Sequence, residues 1–223
     1  MKRFSIFLLF LIVGCALNAQ DDYRNYVLSR TMLNGTGTSY LDNITYYDGL
    51  GRPFQTVQKA VQSGLPVNKN LATLQEYDAA GREWNSWLPT FAGSSDYLAP
   101  AGIKSSAPGN YDNDSRPYSQ PVYKASPLNR LTAQYGPGAA WYNAGRPVKT
   151  EYLLNTNASP LKCIKYDVSS TGGLTGNSTT FYTSGELSVV KTTDEDLNVS
   201  YSFTDKQGRT VLTRQMNNSE EHD

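Results

Sequence analysis

Three short segments carry the same three groups at the same spacing: Asp48-Gly49-Leu50-Gly51-Arg52, Asp78-Ala79-Ala80-Gly81-Arg82 and Asp205-Lys206-Gln207-Gly208-Arg209. An Asp at the first position of a turn accepts a hydrogen bond from the backbone two residues on. A Gly in the fourth place takes the left-handed conformation that closes a type I turn with a bulge. The Arg then begins the return strand, where its long stem can cover an aromatic neighbour. The chemistry of these nine residues is therefore read as folding, not turnover.

Other constellations support a reaction less well. Glu76, Glu83, Glu151 and Glu186 could supply the paired carboxylates of a glycoside hydrolase. Each lies in or beside a strand-like run with Lys, Arg or Gln nearby, the pattern of a solvated sheet face. Asp194-x-Asp196-x-Asn198-x-Ser200, with Asp205 beyond, resembles a calcium loop in its oxygen spacing. The place such loops give to glycine is Val199, which sits in a clean strand alternation. This segment and Asp112-x-Asp114 read as solvated turns, and no metal or cofactor is expected. The single histidine, His222, at the extreme end, removes most His-based triads, His-ligated zinc sites and His acid–base chemistry. Cys163, without an available histidine, reads as a buried structural thiol. Gly172-Gly173-Leu174-Thr175-Gly176 lacks a lysine and a following helix, so it reads as a flexible loop. Trp84, Trp87, Trp141 and the sixteen tyrosines could form sugar-stacking platforms; filling the sheet interior and cross-strand pairs is the favoured reading.

The elements that must position the turns are strands. Runs 43–47, 72–77 and 199–203 precede the three turns, and runs 54–61 and 210–216 clearly follow the first and last. Val148, Thr150, Tyr152 and Leu154 alternate with Lys149, Glu151 and Leu153, and Val199, Tyr201 and Phe203 with Ser200, Ser202 and Thr204. Such period-two alternation predicts strands with one face buried. Residues 187–192 are β-branched and short, and 161–166 is strand-like. Helical spacing with a clean cap is absent. Between about 88 and 147, pairs such as Leu88-Pro89, Ala99-Pro100, Ala107-Pro108 and Gly136-Pro137 break any long element. The aromatic residues there, among them Tyr97, Tyr118, Tyr123 and Trp141, predict an ordered loop layer with short strands or one short helix, not disorder. The fold class expected is mainly β: antiparallel hairpins, long Pro/Gly-rich loops and little helix.

Twenty Lys and Arg balance twenty Asp and Glu over 223 residues. A near-neutral chain has no electrostatic footprint for nucleic acid or an anionic membrane. Met1-Lys2-Arg3, an apolar run over 4–17 and then Asn18-Ala19-Gln20 have the shape of a secretory signal peptide cut after Ala19. The run is too short for a membrane span, which needs about 20 residues. Ile12-Val13-Gly14-Cys15 also fits a bacterial lipobox, so lipidation of Cys15 is the anchored alternative. Either route exports the protein, to the periplasm, the outer surface or the medium. The expected organisation is a signal peptide at 1–19, a single β-rich domain at 20–216 with the loop-rich insert, and a polar tail at 217–223.

Tyr-Asp-x-x-Gly-Arg hairpins are the signature of YD repeats, found in bacterial Rhs proteins. The likeness extends to Asn25–Thr31, Tyr47–Pro53, Tyr123-Lys124-Ala125-Ser126-Pro127-Leu128-Asn129-Arg130, Gln134–Gly138 and Lys191–Asp196. The chain thus resembles an N-terminal domain of unknown function of exported Rhs/YD-repeat proteins of Gram-negative bacteria. It departs at Leu197, where Gly is expected after Asp-Glu-Asp; either that turn is strained, or Asn198 is its left-handed residue. The resemblance implies a non-enzymatic scaffold beginning a stack of hairpins, in a lineage whose shells carry toxins or act in cell-surface contact. Its implied partners are downstream YD repeats of a longer chain or an adjacent polypeptide. The rival readings are a surface module binding glycan or protein, and a hydrolase. The strand after Arg209 is expected to end as an uncovered edge built to be continued.

Overall fold

Every second residue of 42–46, 55–57 and 70–74 is buried, polar at the first place of each segment (Asp42, Gln55, Asn70) and apolar after it, so one face of each turns inward, and the segments pair as neighbouring strands. The computed structural model describes residues 24–62, 69–91, 93, 95–175, 180–217 and 220–223; the expected signal peptide with Cys15, and Gly176, lie outside them. Its strands are β1 (Asn25–Met32), β2 (Tyr40–Tyr47), β3 (Pro53–Gln62), β4 (Lys69–Tyr77), β5 (Glu83–Phe91), β6 (Tyr118–Tyr123), β7 (Leu131–Tyr135), β8 (Val148–Leu154), β9 (Asp167–Val168), β10 (Leu174–Thr175), β11 (Ser188–Thr193), β12 (Val199–Thr204), β13 (Thr210–Asn217) and β14 (Glu220–His222). Two helices, α1 (Pro100–Asn110) and α2 (Ala139–Asn143), complete the described elements. Twelve strands form one antiparallel sheet in chain order, β1 to β8 and then β11 to β14, while β9 and β10 pair separately. The protein is mainly β, as its alternation predicts.

Two separate covers lie on this sheet. Over β2–β5, Ile44, Tyr46, Val57, Ala72 and Leu74 pack against Ile103 of α1, with Tyr97 and Leu98 at the margin. Over the later strands, Leu187, Val189, Tyr201 and Phe203 pack with Cys163 and Leu161 from the 155–187 excursion between β8 and β11. Polar side chains sew the first cover down. Tyr46 Oη donates to the Asp96 carbonyl (2.9 Å), Gln55 Nε2 to Leu98 O (2.5 Å) and Asn70 Nδ2 to Ser95 O (2.9 Å).

The 88–147 region holds more regular structure than its prolines suggest. Strand β5 runs through Leu88-Pro89, because a register shift against β4 places them at a bulge, where no ladder N–H is required of Pro89. The Leu88 N–H instead bonds Pro117 O at 2.9 Å. Helix α1 begins at the proline of Ala99-Pro100 and runs through Ala107-Pro108. Pro100 opens it, where the missing N–H has no partner to lose, and Pro108 falls in its last turn. Burial of Ile103 and Ala107, one turn apart, supplies what the local sequence lacks.

Two segments differ from the strands expected of them. In β8 the residue facing the core is Leu153, opposite Val189, whereas Tyr152 and Leu154 are exposed. The run Leu153-Leu154 leaves the face undecided locally; the Val189 contact decides it. Residues 161–166 form no strand beyond a single bridge, Ile164 to Phe181. The polar tail folds back: β14 pairs with Gln215–Asn217. Arg214, itself buried, holds Asp223 through two hydrogen bonds (2.5 and 2.7 Å) and Glu221 at 3.0 Å.

Candidate functional site: a row of aspartate turns

The three Asp-x-x-Gly-Arg segments close in one way. The Asp48 N–H donates to Arg52 O (2.9 Å) and Gly51 N–H to Asp48 O (3.0 Å). One Asp48 carboxylate oxygen accepts from the Leu50 and Arg52 amides, both at 2.9 Å, and the other from Arg52 Nε at 2.8 Å. Asp78 and Asp205 repeat all five bonds, at 2.8–3.0 Å. Gly51, Gly81 and Gly208 have φ of 77°, 77° and 82°. Hydrogen bonds from the following Arg, through its backbone N–H first and then its guanidinium, hold the Asp48 and Asp78 carboxyls below their ordinary range. The Arg209 amide does the same for Asp205.

The turn expected at Asp194–Asn198 proves to be a further member of the set. Asp194 N–H donates to Asn198 O (3.0 Å), Leu197 N–H to Asp194 O (3.1 Å), and Asp194 accepts from the Asp196 and Asn198 amides (2.9 and 2.8 Å). Asn198 Nδ2 stands where the Arg guanidinium would be, at 2.8 Å from Asp194 Oδ2. The left-handed residue is Leu197 itself, with φ of 71°, and not Asn198. Asp194's oxygens thus serve a turn in a segment whose spacing resembles a calcium loop. A relative of the same length spans Ser169–Gly173, with the Ser169 hydroxyl accepting from Gly173 N–H at 3.0 Å and Gly172 at φ 82°. The usable signal was a short polar acceptor five residues before the return strand, with Gly not required.

The turns are joined to one another. The Arg52 guanidinium lies 4.2 Å from the ring centre of Tyr77, and the Tyr77 hydroxyl donates back to Pro53 O at 2.7 Å. Arg82 lies 4.4 Å from Tyr123, whose hydroxyl donates to Glu83 O at 3.1 Å. Arg130 lies 5.0 Å from Tyr152. The loop before Arg130 is longer, yet it is closed by the same bond, Lys124 N–H to Arg130 O (2.8 Å). Register explains the regularity. Carrying Gln55↔Leu74, Ser86↔Ser119 and Ala133↔Lys149 back to the turns places each Arg opposite its Tyr. The first two turns are therefore clasped to the next tyrosine by an aromatic face and a hydroxyl, and Arg130 to Tyr152 by the aromatic face, interactions worth about 0.5–1 kcal/mol for the cation–π part. Gly81 is also tied into the clasp: Arg52 Nη1 donates to its carbonyl at 3.2 Å.

The four glutamates do not converge. Lys104, Trp87 and Asn85 all donate to Glu76; burial raises its pKa, but these bonds prevail and keep the carboxyl below its usual range. Glu151 pairs with Lys191 (2.7 Å), Glu186 accepts from Thr183 N–H (3.1 Å), and Glu83 is exposed. Cys163 is free and buried, and burial pushes its thiol up. Trp87 packs on Tyr118 (4.6 Å between centres) and Trp84 is half-buried, whereas Trp141 is exposed. Among the described residues, no cluster of three His, Cys, Asp or Glu side chains could hold a metal, and no helix is long and apolar enough to cross a membrane.

The chain belongs to the family described as Domain of unknown function (DUF6443), which matches residues 20–154. That match ends on the last residue of β8, so it takes in the first two aspartate turns and all three Arg–Tyr clasps. No curated protein and no solved structure matches the chain.

Proposed function

We propose that the chain is an exported, non-enzymatic structural scaffold, the N-terminal part of a shell protein of Rhs/YD-repeat type. The observation that carries this reading is the row of clasped turns. The most regular polar chemistry in the molecule is spent on joining one hairpin to the next. Aspartates that could act on a substrate are instead saturated by backbone amides. A wall built this way extends by adding hairpins, and a wall of this kind serves to enclose a payload for delivery or to reach a neighbouring cell surface.

Electron cryomicroscopy of the full gene product, purified from its own host, tests the proposal. The expected image is a layer of stacked hairpins continuing from β13. An isolated β domain beside a separate folded enzyme, with no further hairpins, would end it. Fractionation of the same cells checks export, with the protein expected outside the cytoplasm.

A further inference from the structure

The two covers lie on one face of the sheet, with a gap between them. Residues opposite one another on neighbouring strands share a face. The face that buries Leu74 carries Trp87 and Tyr118 across β4, β5 and β6, then Val122, Ala133 and Lys149 across β6, β7 and β8. It continues through Leu153, opposite Val189, to Phe203 under the second cover. Helix α1 rests on β4 and β5, and the 155–187 excursion packs on Leu153 and the strands beyond it. Over β6–β8 the same face is open. It forms a groove of about 580 Å³ lined by Val122, Lys124, Ala133, Tyr135, Lys149 and Leu153. Val122 is 38% exposed there, on a face that is buried to either side.

The charge of this strip has one sign. Residues 116–149 hold five Lys and Arg and no Asp or Glu, in a chain whose charges otherwise balance. Lys124 flanks the apolar floor at β6 and Lys149 flanks it at β8. Neither has an ion-pair partner among the described residues, whereas Glu151 at the rim is taken by Lys191 at 2.7 Å. We propose that the groove is a docking site for an acidic amphipathic helix of a partner protein, apolar along one stripe and carrying Glu or Asp on both flanks of it. From β6 to β8 is two strand spacings, about 10 Å, the diameter of one helix. Helix α1 shows the same arrangement with the signs reversed: it buries Ile103 and Ala107 and sends Lys104 to Glu76 of β4. In the groove the sheet supplies the lysines, so the complementary cover supplies the carboxylates.

The proposal stands apart from the scaffold reading, since it needs only the sheet and its two covers. Fluorescence anisotropy of the full chain with labelled helical peptides of about 18 residues, long enough to hold a helix, tests it. The first peptide has leucines at i, i+3, i+4 and i+7 with glutamates on both sides. The second has the same stripe flanked by lysines, and the third keeps the glutamates but scatters the leucines round the helix. The first is expected to bind about tenfold tighter than either of the others. In its complex, amide exchange should slow over β6 and β8. Lys124→Glu with Lys149→Glu is expected to invert the preference, so that the lysine peptide binds better, a gain that misfolding cannot produce. No binding of the first peptide at millimolar concentration overturns the proposal. Equal binding of the scattered peptide would reduce the groove to a charged patch, and an unchanged preference in the double variant would put the peptide elsewhere; either overturns it. A dimer of the chain that protects the same amides would give the groove to a second copy, and overturns it equally.

Discussion

Leu197 is exposed and holds the left-handed backbone conformation that glycine fills in the three sister turns. A β-carbon there costs about 1–2 kcal/mol, and glycine returns part of that through a freer unfolded chain. Leu197→Gly is therefore expected to stabilise the protein by about 0.5–1 kcal/mol in urea unfolding, with no packing lost. A neutral or destabilising result would mean that the Leu197 side chain works in a way its exposure does not suggest. At Gly81 the sign reverses: a β-carbon would lie 2.9 Å from Arg52 Nη1, whereas Gly51 and Gly208 face open space. Gly81→Val should thus lose more than the about 1–2 kcal/mol expected at the other two, as it also breaks the clasp. The Asp-x-x-Gly-Arg turns were legible because every bond in them is local. At Leu197 the sequence left two alternatives open, strain there or a left-handed Asn198, and the aspartate's acceptor geometry decides for Leu197. The Tyr partners of Arg52 and Arg82 were not legible, since only sheet register brings them opposite.

At the scale of elements, helix α1 shows where local reading fails. Its prolines read as breaks, it carries no side-chain cap, and its stability comes from Ile103 and Ala107 buried on β2–β5. Lys104 and Asn110 add bonds to Glu76 and Thr90. Ile103→Ala is expected to cost about 2–4 kcal/mol and to release the helix. Trp87, which shares that core and bonds Glu76, reports the change through its fluorescence. A loss below about 1 kcal/mol would mean that the polar bonds alone hold the cover. The strands beside the helix were legible from alternation, except where two apolar residues adjoin, as at Leu153-Leu154, and a contact from another strand picks the face.

Over the whole molecule, the turn carboxylates act together on acid stability. Asp48, Asp78 and Asp205, bonded by the amides of the following Arg, and Asp194, bonded first by the Asn198 side chain, have folded-state pKa values below their unfolded ones. A depressed carboxyl contributes stability above the unfolded value, about 3.9, and loses it as pH falls through the folded one. The thermal midpoint is expected to drop progressively below about pH 4. Replacing Asp48, Asp78 and Asp205 together by Asn should flatten that drop. Calorimetry between pH 7 and 2 checks both, and an unchanged midpoint down to pH 2 in the unaltered protein would refute the contribution.

The sheet is not uniformly laced. Strands β1–β4 and β11–β13 face each other over five to eight register pairs, with one interruption each at most. The junctions of β5 with β6 and of β7 with β8 have two pairs each. The two buried clusters lie on either side of the β6–β7 ribbon. In mechanical terms the molecule is two stiff slabs joined by a compliant strip. Tension applied across the strands concentrates at those two seams, so the sheet yields and bends there while each slab keeps its shape. A wall made of such pieces can take up curvature without unfolding.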